Sequence, residues 1–186
     1  MKKRIFVGLP VVLLAFCLIF AGCNNNGDSD TWSNATSLDQ LYGTWQGSLS
    51  ETMTIRQLLE SMGGTWVDEA QDFFGNMRVT YVINLYITLN STSNLMNQTA
   101  NMTFTFSGGN ISDVWSDLKT GFFDSNFTFN DSTYTASMVN TFSATISESD
   151  SSDAGVQINQ NGNRIKYPIE GDPVLEGKNI VLTKQQ

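Results

Sequence analysis

Histidine is absent from all 186 residues of this chain. That excludes Ser-His-Asp and Cys-His nucleophilic machinery and every His-ligated zinc site. Cysteine is nearly absent too: only Cys17 and Cys23 occur, both near the N-terminus. No disulfide and no catalytic thiol is therefore available to the rest of the chain, so stability must come from packing and strand pairing. Basic residues are scarce, with 10 Lys and Arg against 18 Asp and Glu and a formal charge of −8. Such a surface repels phosphate backbones and anionic lipid heads, which argues against nucleic acid as a partner. No glycine-rich phosphate loop is present. Carboxylates are plentiful, and Asp68 and Asp72 share a helical face at i, i+4. Any two of 18 carboxylates can be paired on paper, so their presence alone does not indicate a glycosidase. Glu148, Asp150, Asp153 and Gly155 form a short acidic stretch whose spacing is not that of an EF-hand. It reads as a solvated hairpin turn. No catalytic residue, metal site or cofactor is expected, and the chain is not expected to be an enzyme.

The N-terminus has a different composition. Lys2, Lys3 and Arg4 precede an apolar run from Ile5 to Phe20, broken only by Gly8 and Pro10. A basic start, a short apolar core and small residues before a cut read as an export signal. The run falls short of the roughly 20 apolar residues of a spanning helix. It ends in Phe20-Ala21-Gly22-Cys23, which resembles the lipobox of bacterial lipoproteins. The resemblance implies removal of residues 1–22 and lipidation of Cys23, with Phe20 standing where the pattern usually has Leu. Stable anchoring follows from more than one acyl chain. Asn24 in place of Asp after the Cys implies the outer membrane where the cell has one, so the domain is expected outside the cytoplasm on an N-terminal lipid. Cleavage leaves 164 residues, 23–186, and takes the charge to about −11 through loss of the three basic residues. That length suits one domain with a real core. Asn24 to Asn34 reads as a flexible tether, holding the domain about 20 Å from the lipid. Residues 23–37 are thus expected as lipidated Cys and tether, and 38–186 as the domain.

Beyond the tether, period-two alternation dominates. From Arg78 to Asn90, Val79, Tyr81, Ile83, Leu85, Ile87 and Leu89 share one face. From Leu95 to Ser107, Met96, Ala100, Met102, Phe104 and Phe106 do the same. Phe127 and Phe129 alternate with Thr128 and Asn130. Tyr134, Ala136, Met138, Phe142, Ala144 and Ile146 oppose a Thr- and Ser-rich face. These are antiparallel strands with one buried face. Asn161-Gly162 is a strong hairpin signal, since a type I′ turn needs positive φ. Two segments break the pattern. Thr54-Ile55-Arg56-Gln57 resembles a capping box before a helix stopped at Gly63-Gly64. Val67, Ala70, Phe73 and Phe74 suggest a second short helix on the insertion, and Ile111, Val114, Trp115, Leu118 and Phe122 suit one further short helix started near Asn110 or Ser112 and ended by Gly121. The fold expected is mainly β: an antiparallel up-and-down barrel of about eight strands, with a helical insertion after the first strand and one further short helix.

Gly43-Thr44-Trp45 at the first expected strand resembles the G-x-W of lipocalins and the wider lipocalin-like barrels. There the Trp plugs the closed end. An interior of about eight strands narrows to side-chain width, and one indole seals it. Gly43 and Gly47 let the strand bend at the corner. Lipocalins also set an Arg from a late strand over this Trp; here only Lys178 and Lys184 lie near that place. The resemblance implies a ligand site at the opposite end. Trp66, Phe73 and Phe74 on the insertion and Trp115 on the short helix would form its rim. Tyr81, Met102, Phe104, Phe127, Phe129, Met138 and Phe142 would line it. The same side chains could instead fill the interior. Two functions follow: a non-enzymatic, lipid-anchored binder of a small apolar or amphipathic molecule, or a surface lipoprotein acting on an unassigned protein partner through its loops.

Overall fold

The computed structural model describes residues 30–65, 74–147 and 155–186. Residues 1–22, expected as an export signal, together with Cys23, Trp66, Phe73 and the acidic stretch from Glu148 to Asp153, lie outside the described residues. The strands are β1 (Trp32–Asn34), β2 (Gly43–Thr54), β3 (Arg78–Leu89), β4 (Leu95–Ser107), β5 (Thr128–Asn130), β6 (Thr135–Thr145), β7 (Gln157–Asn159), β8 (Arg164–Pro168) and β9 (Asn179–Lys184). Among the described residues two whole helices accompany them, α1 (Ile55–Ser61) after β2 and α2 (Ile111–Phe122) after β4, and a 3-10 turn spans Leu38–Gln40. All strands belong to one sheet in the order β1-β7-β8-β9-β2-β3-β4-β6-β5.

Local chemistry accounts for these boundaries. On β3, Val79, Tyr81, Ile83, Leu85, Ile87 and Leu89 are all buried, and every residue between them is more exposed. Each such aliphatic or aromatic side chain contributes roughly 1.5–3 kcal/mol by leaving water. β4 repeats the pattern from Met96 to Phe106, with Gln98 the one polar residue on the buried face. The capping box forms as expected: the Gln57 amide donates to Thr54 Oγ1 at 3.1 Å, and the Thr54 amide donates to Gln57 Oε1 at 2.9 Å. Gly63, at φ 78°, ends that helix. The turn at Asn161-Gly162 differs from expectation. Gly162 has positive φ and Asn161 does not, and Asn159 Oδ1 accepts from the amides of Asn163 and Arg164. A side chain two residues earlier thus replaces the backbone geometry of a type I′ turn.

Contacts divide the chain into two compact units. The first gathers Glu51–Tyr81 and Thr103–Met138. It contains α1, α2, β5 and the matching parts of the long strands. The second gathers Val82–Met102, Val139–Gln186 and the described residues before Glu51.

Two expectations need correction. The tether was expected to run to Asn34, with order starting near Leu38. Instead Trp32–Asn34 pair antiparallel with β7, and Ala35 and Leu38 are buried. A three-residue strand carries no legible period, so its pairing is set by the partner edge. The sheet is also not the closed eight-stranded barrel expected. The last strand does pair with the first long one, Trp45 opposite Lys184 and Gln46 opposite Thr183. The order nevertheless ends at β1 and β5. β1 takes the edge of β7, and β5 takes part of the edge of β6, so those two strands are not neighbours.

Candidate functional site

Trp45 lies on β2 at the β9 pairing and is 1% exposed. Its Nε1–H donates to the Leu41 carbonyl at 2.7 Å, which satisfies the one polar atom of the buried indole. Lys184 Nζ stands 5.2 Å from the centre of the ring, within cation–π range. Gly43 makes this possible. Its φ is 125°, and a Cβ there would meet Lys184 Cε at 2.8 Å. Gly47 has a different reason: a Cβ would collide with the Val181 carbonyl of the neighbouring strand. The two glycines expected to ease the corner therefore serve the β2–β9 pairing and the lysine over the indole.

The second constellation is aromatic and belongs to the first unit. Tyr81 and Phe104 stack with ring centres 4.3 Å apart at 10°. Phe123 joins the cluster from the residue after α2. It reaches Phe104 at 5.4 Å, Phe127 at 4.7 Å, Phe106 at 5.9 Å and Phe129 at 5.9 Å. Trp115, on the buried face of α2, meets Phe106, Phe129 and Tyr134 at 5.7–6.1 Å, the latter two edge-on. Offset and edge contacts of this kind are favourable by about 0.5–1.5 kcal/mol each beyond area burial. The cluster is graded in exposure. Tyr81, Phe104, Phe106 and Trp115 are buried, whereas Phe122, Phe123, Phe127, Phe129 and Tyr134 are half-buried.

One polar group borders it. Trp115 Nε1–H and Lys119 Nζ both donate to Asp131 Oδ1, at 2.6 and 2.8 Å. The Lys119 and Trp115 hydrogen bonds hold the Asp131 carboxyl below the usual carboxylate range. Lys119 Nζ also lies 5.7 Å from the Trp115 ring and 5.9 Å from Phe129. Among the described residues, no group of three or more Cys, Asp or Glu is placed to hold a metal ion.

The sequence-expected residues are thus partly assembled. Tyr81, Phe104, Trp115, Phe127 and Phe129 share one cluster. Trp115 is one of its buried members, not a rim residue. Phe74 is half-buried at the end of the insertion, and Met138 is half-buried on β6. Met102 is buried and Phe142 half-buried within the second unit. The sequence pattern gives no site role to Phe123, Lys119 or Asp131 and marks Phe106 and Tyr134 only as inward-facing residues. Phe123 falls between helix and strand, where neither period marks it; the Phe122-Phe123 pair was its only signal. No protein-family model, curated protein or solved structure matches the chain.

Proposed function

We propose that this chain is a non-enzymatic, lipid-anchored protein of lipocalin-like character that binds a small apolar or amphipathic molecule at the aromatic cluster. The observation that carries the reading is the graded exposure of that cluster. The cluster holds five half-buried rings beside four buried aromatic side chains. A flat apolar molecule laid against Phe123, Phe127 and Phe129 leaves water and meets ring faces and edges. The Lys119–Asp131 pair offers a polar group at the margin for the head of an amphipathic ligand. The lipocalin likeness is supported by Gly43-Thr44-Trp45, by the lysine over the indole and by pairing of the last strand with the first long one. Anchoring at the envelope, in the outer membrane where one exists, rests on Lys2 to Arg4, the apolar run and Cys23 after Ala21-Gly22.

Native mass spectrometry of the protein purified from the producing cell, and again after exposure to that cell's lipid extract, tests the reading. A small-molecule adduct lost in Phe123→Ala is the expected result. A bare protein mass in both preparations contradicts it.

A further inference from the structure

The edge of β7 is held by β1. Between β6 and β7 lie residues 146–156, and in an up-and-down sheet such consecutive strands pair. Here β1 takes that edge instead, Trp32 opposite Asn159, Ser33 opposite Ile158 and Asn34 opposite Gln157. Two bonds extend the pairing, Ala35 N–H to the Val156 carbonyl at 2.9 Å and Gln160 N–H to the Thr31 carbonyl at 3.1 Å. Side chains clamp it. Lys166 Nζ stands 4.3 Å from the Trp32 ring centre and Arg164 Cζ 5.7 Å from it, while Arg164 pairs with Asp30 at 2.6 Å. The clamp is imperfect, since Trp32 Nε1 is buried with no hydrogen-bond partner among the described residues.

Among the described residues, β6 has one edge that β5 covers in part. The Ile146 amide donates to the Asn94 carbonyl next to β4. By the antiparallel alternation, the amides of Val139, Thr141, Ser143 and Thr145 point the other way. On that side β5 covers only Thr135 to Ser137. From Met138 to Thr145 the strand has no charged residue and no proline, the devices that usually protect an edge. Exposure follows the same division. Ala136, opposite Phe129 of β5, is 0% exposed, whereas Phe142 and Ala144 are only half-buried. Val139 on the other face is 65% exposed.

We infer that β1 is a displaceable strap: it occupies the edge of β7 to which β6 pairs once β1 is released. The chain's own β7 is favoured over a second copy because a short connection gives it a high effective concentration. Release of β1 thus completes the sheet order, β6 joining β7 as β9 already joins β2. This inference does not depend on the ligand reading.

Hydrogen exchange on the full chain tests it, with Ser33→Pro to break β1 and Trp32→Ala to loosen its clamp. Protection of the β3 amides reports that each variant is folded, and Trp32→Ala serves if the proline variant is not. The expected result is at least about tenfold slower exchange at Val139, Thr141, Ser143 and Thr145, independent of protein concentration and with a monomeric mass. Unchanged β6 amides beside a faster Ile158 amide would overturn the strap. So would slowing that grows with concentration, which assigns the edge to a second copy.

Discussion

At the residue scale, Trp45 shows how a short motif acquires a physical role. The G-x-W stretch is three residues of weak pattern, yet its indole is buried, hydrogen-bonded to Leu41 and capped by Lys184. Trp45→Ala is expected to lower stability by about 3–5 kcal/mol in chemical denaturation, through lost burial and the cavity left behind. A loss under about 1 kcal/mol would contradict a structural role for this indole. Tyr167 gives a second measurable signature. Burial, with the nearby Glu170 charge second, pushes its phenol up to about 12. Its hydroxyl is 3.4 Å from Gln98 Oε1. The unfolded chain therefore loses this proton first, near pH 10, and the folded protein only near pH 12. Stability from the neutral phenol is complete below about pH 10 and lost between about pH 10 and 12, roughly 2–3 kcal/mol in all. Tyr167→Phe is expected to flatten that fall in a denaturation series across the window, whatever its effect at neutral pH.

At the element scale, the long strands were legible and the short ones were not. β3 and β4 run Arg78–Leu89 and Leu95–Ser107, almost where alternation placed them, because a dozen residues repeat one signal. The capping box of α1 was legible for the same local reason. β1 was not, since Trp32-Ser33-Asn34 owes its conformation to β7, more than 120 residues away in the chain. The aromatic cluster was half legible. Strand alternation marks Tyr81, Phe104, Phe127 and Phe129, but the rings meet through Phe123, which has no period of its own. Pairing of β2 with β9 supplies a test at this scale. Gly47→Ala pushes a methyl group into the Val181 carbonyl and the Leu182 side chain. The expected cost is about 1–3 kcal/mol, with faster amide exchange across Trp45, Gln46, Thr183 and Lys184.

For the molecule as a whole, the sheet order carries both the likeness to an up-and-down barrel and the departure from it. The last strand returns to the first long strand, which alternation alone does not specify. Closure fails where β1 sits, and no local pattern in β6 or β7 encodes that competition. The acidic composition and the proposed N-terminal anchor belong to the same scale. Cys23→Ser is expected to abolish incorporation of labelled fatty acid and to move the protein from the membrane to the soluble fraction. Retention in membranes with label intact would refute the anchor. If the half-buried rings form the proposed binding surface, an equilibrium titration detects it. A fluorescent anthracene derivative, titrated with wild-type protein and with Phe127→Ala, is expected to bind saturably at one site. The variant should bind about tenfold more weakly, with its far-ultraviolet circular dichroism unchanged. Absence of saturable binding, or equal affinity in the two proteins, would contradict the account.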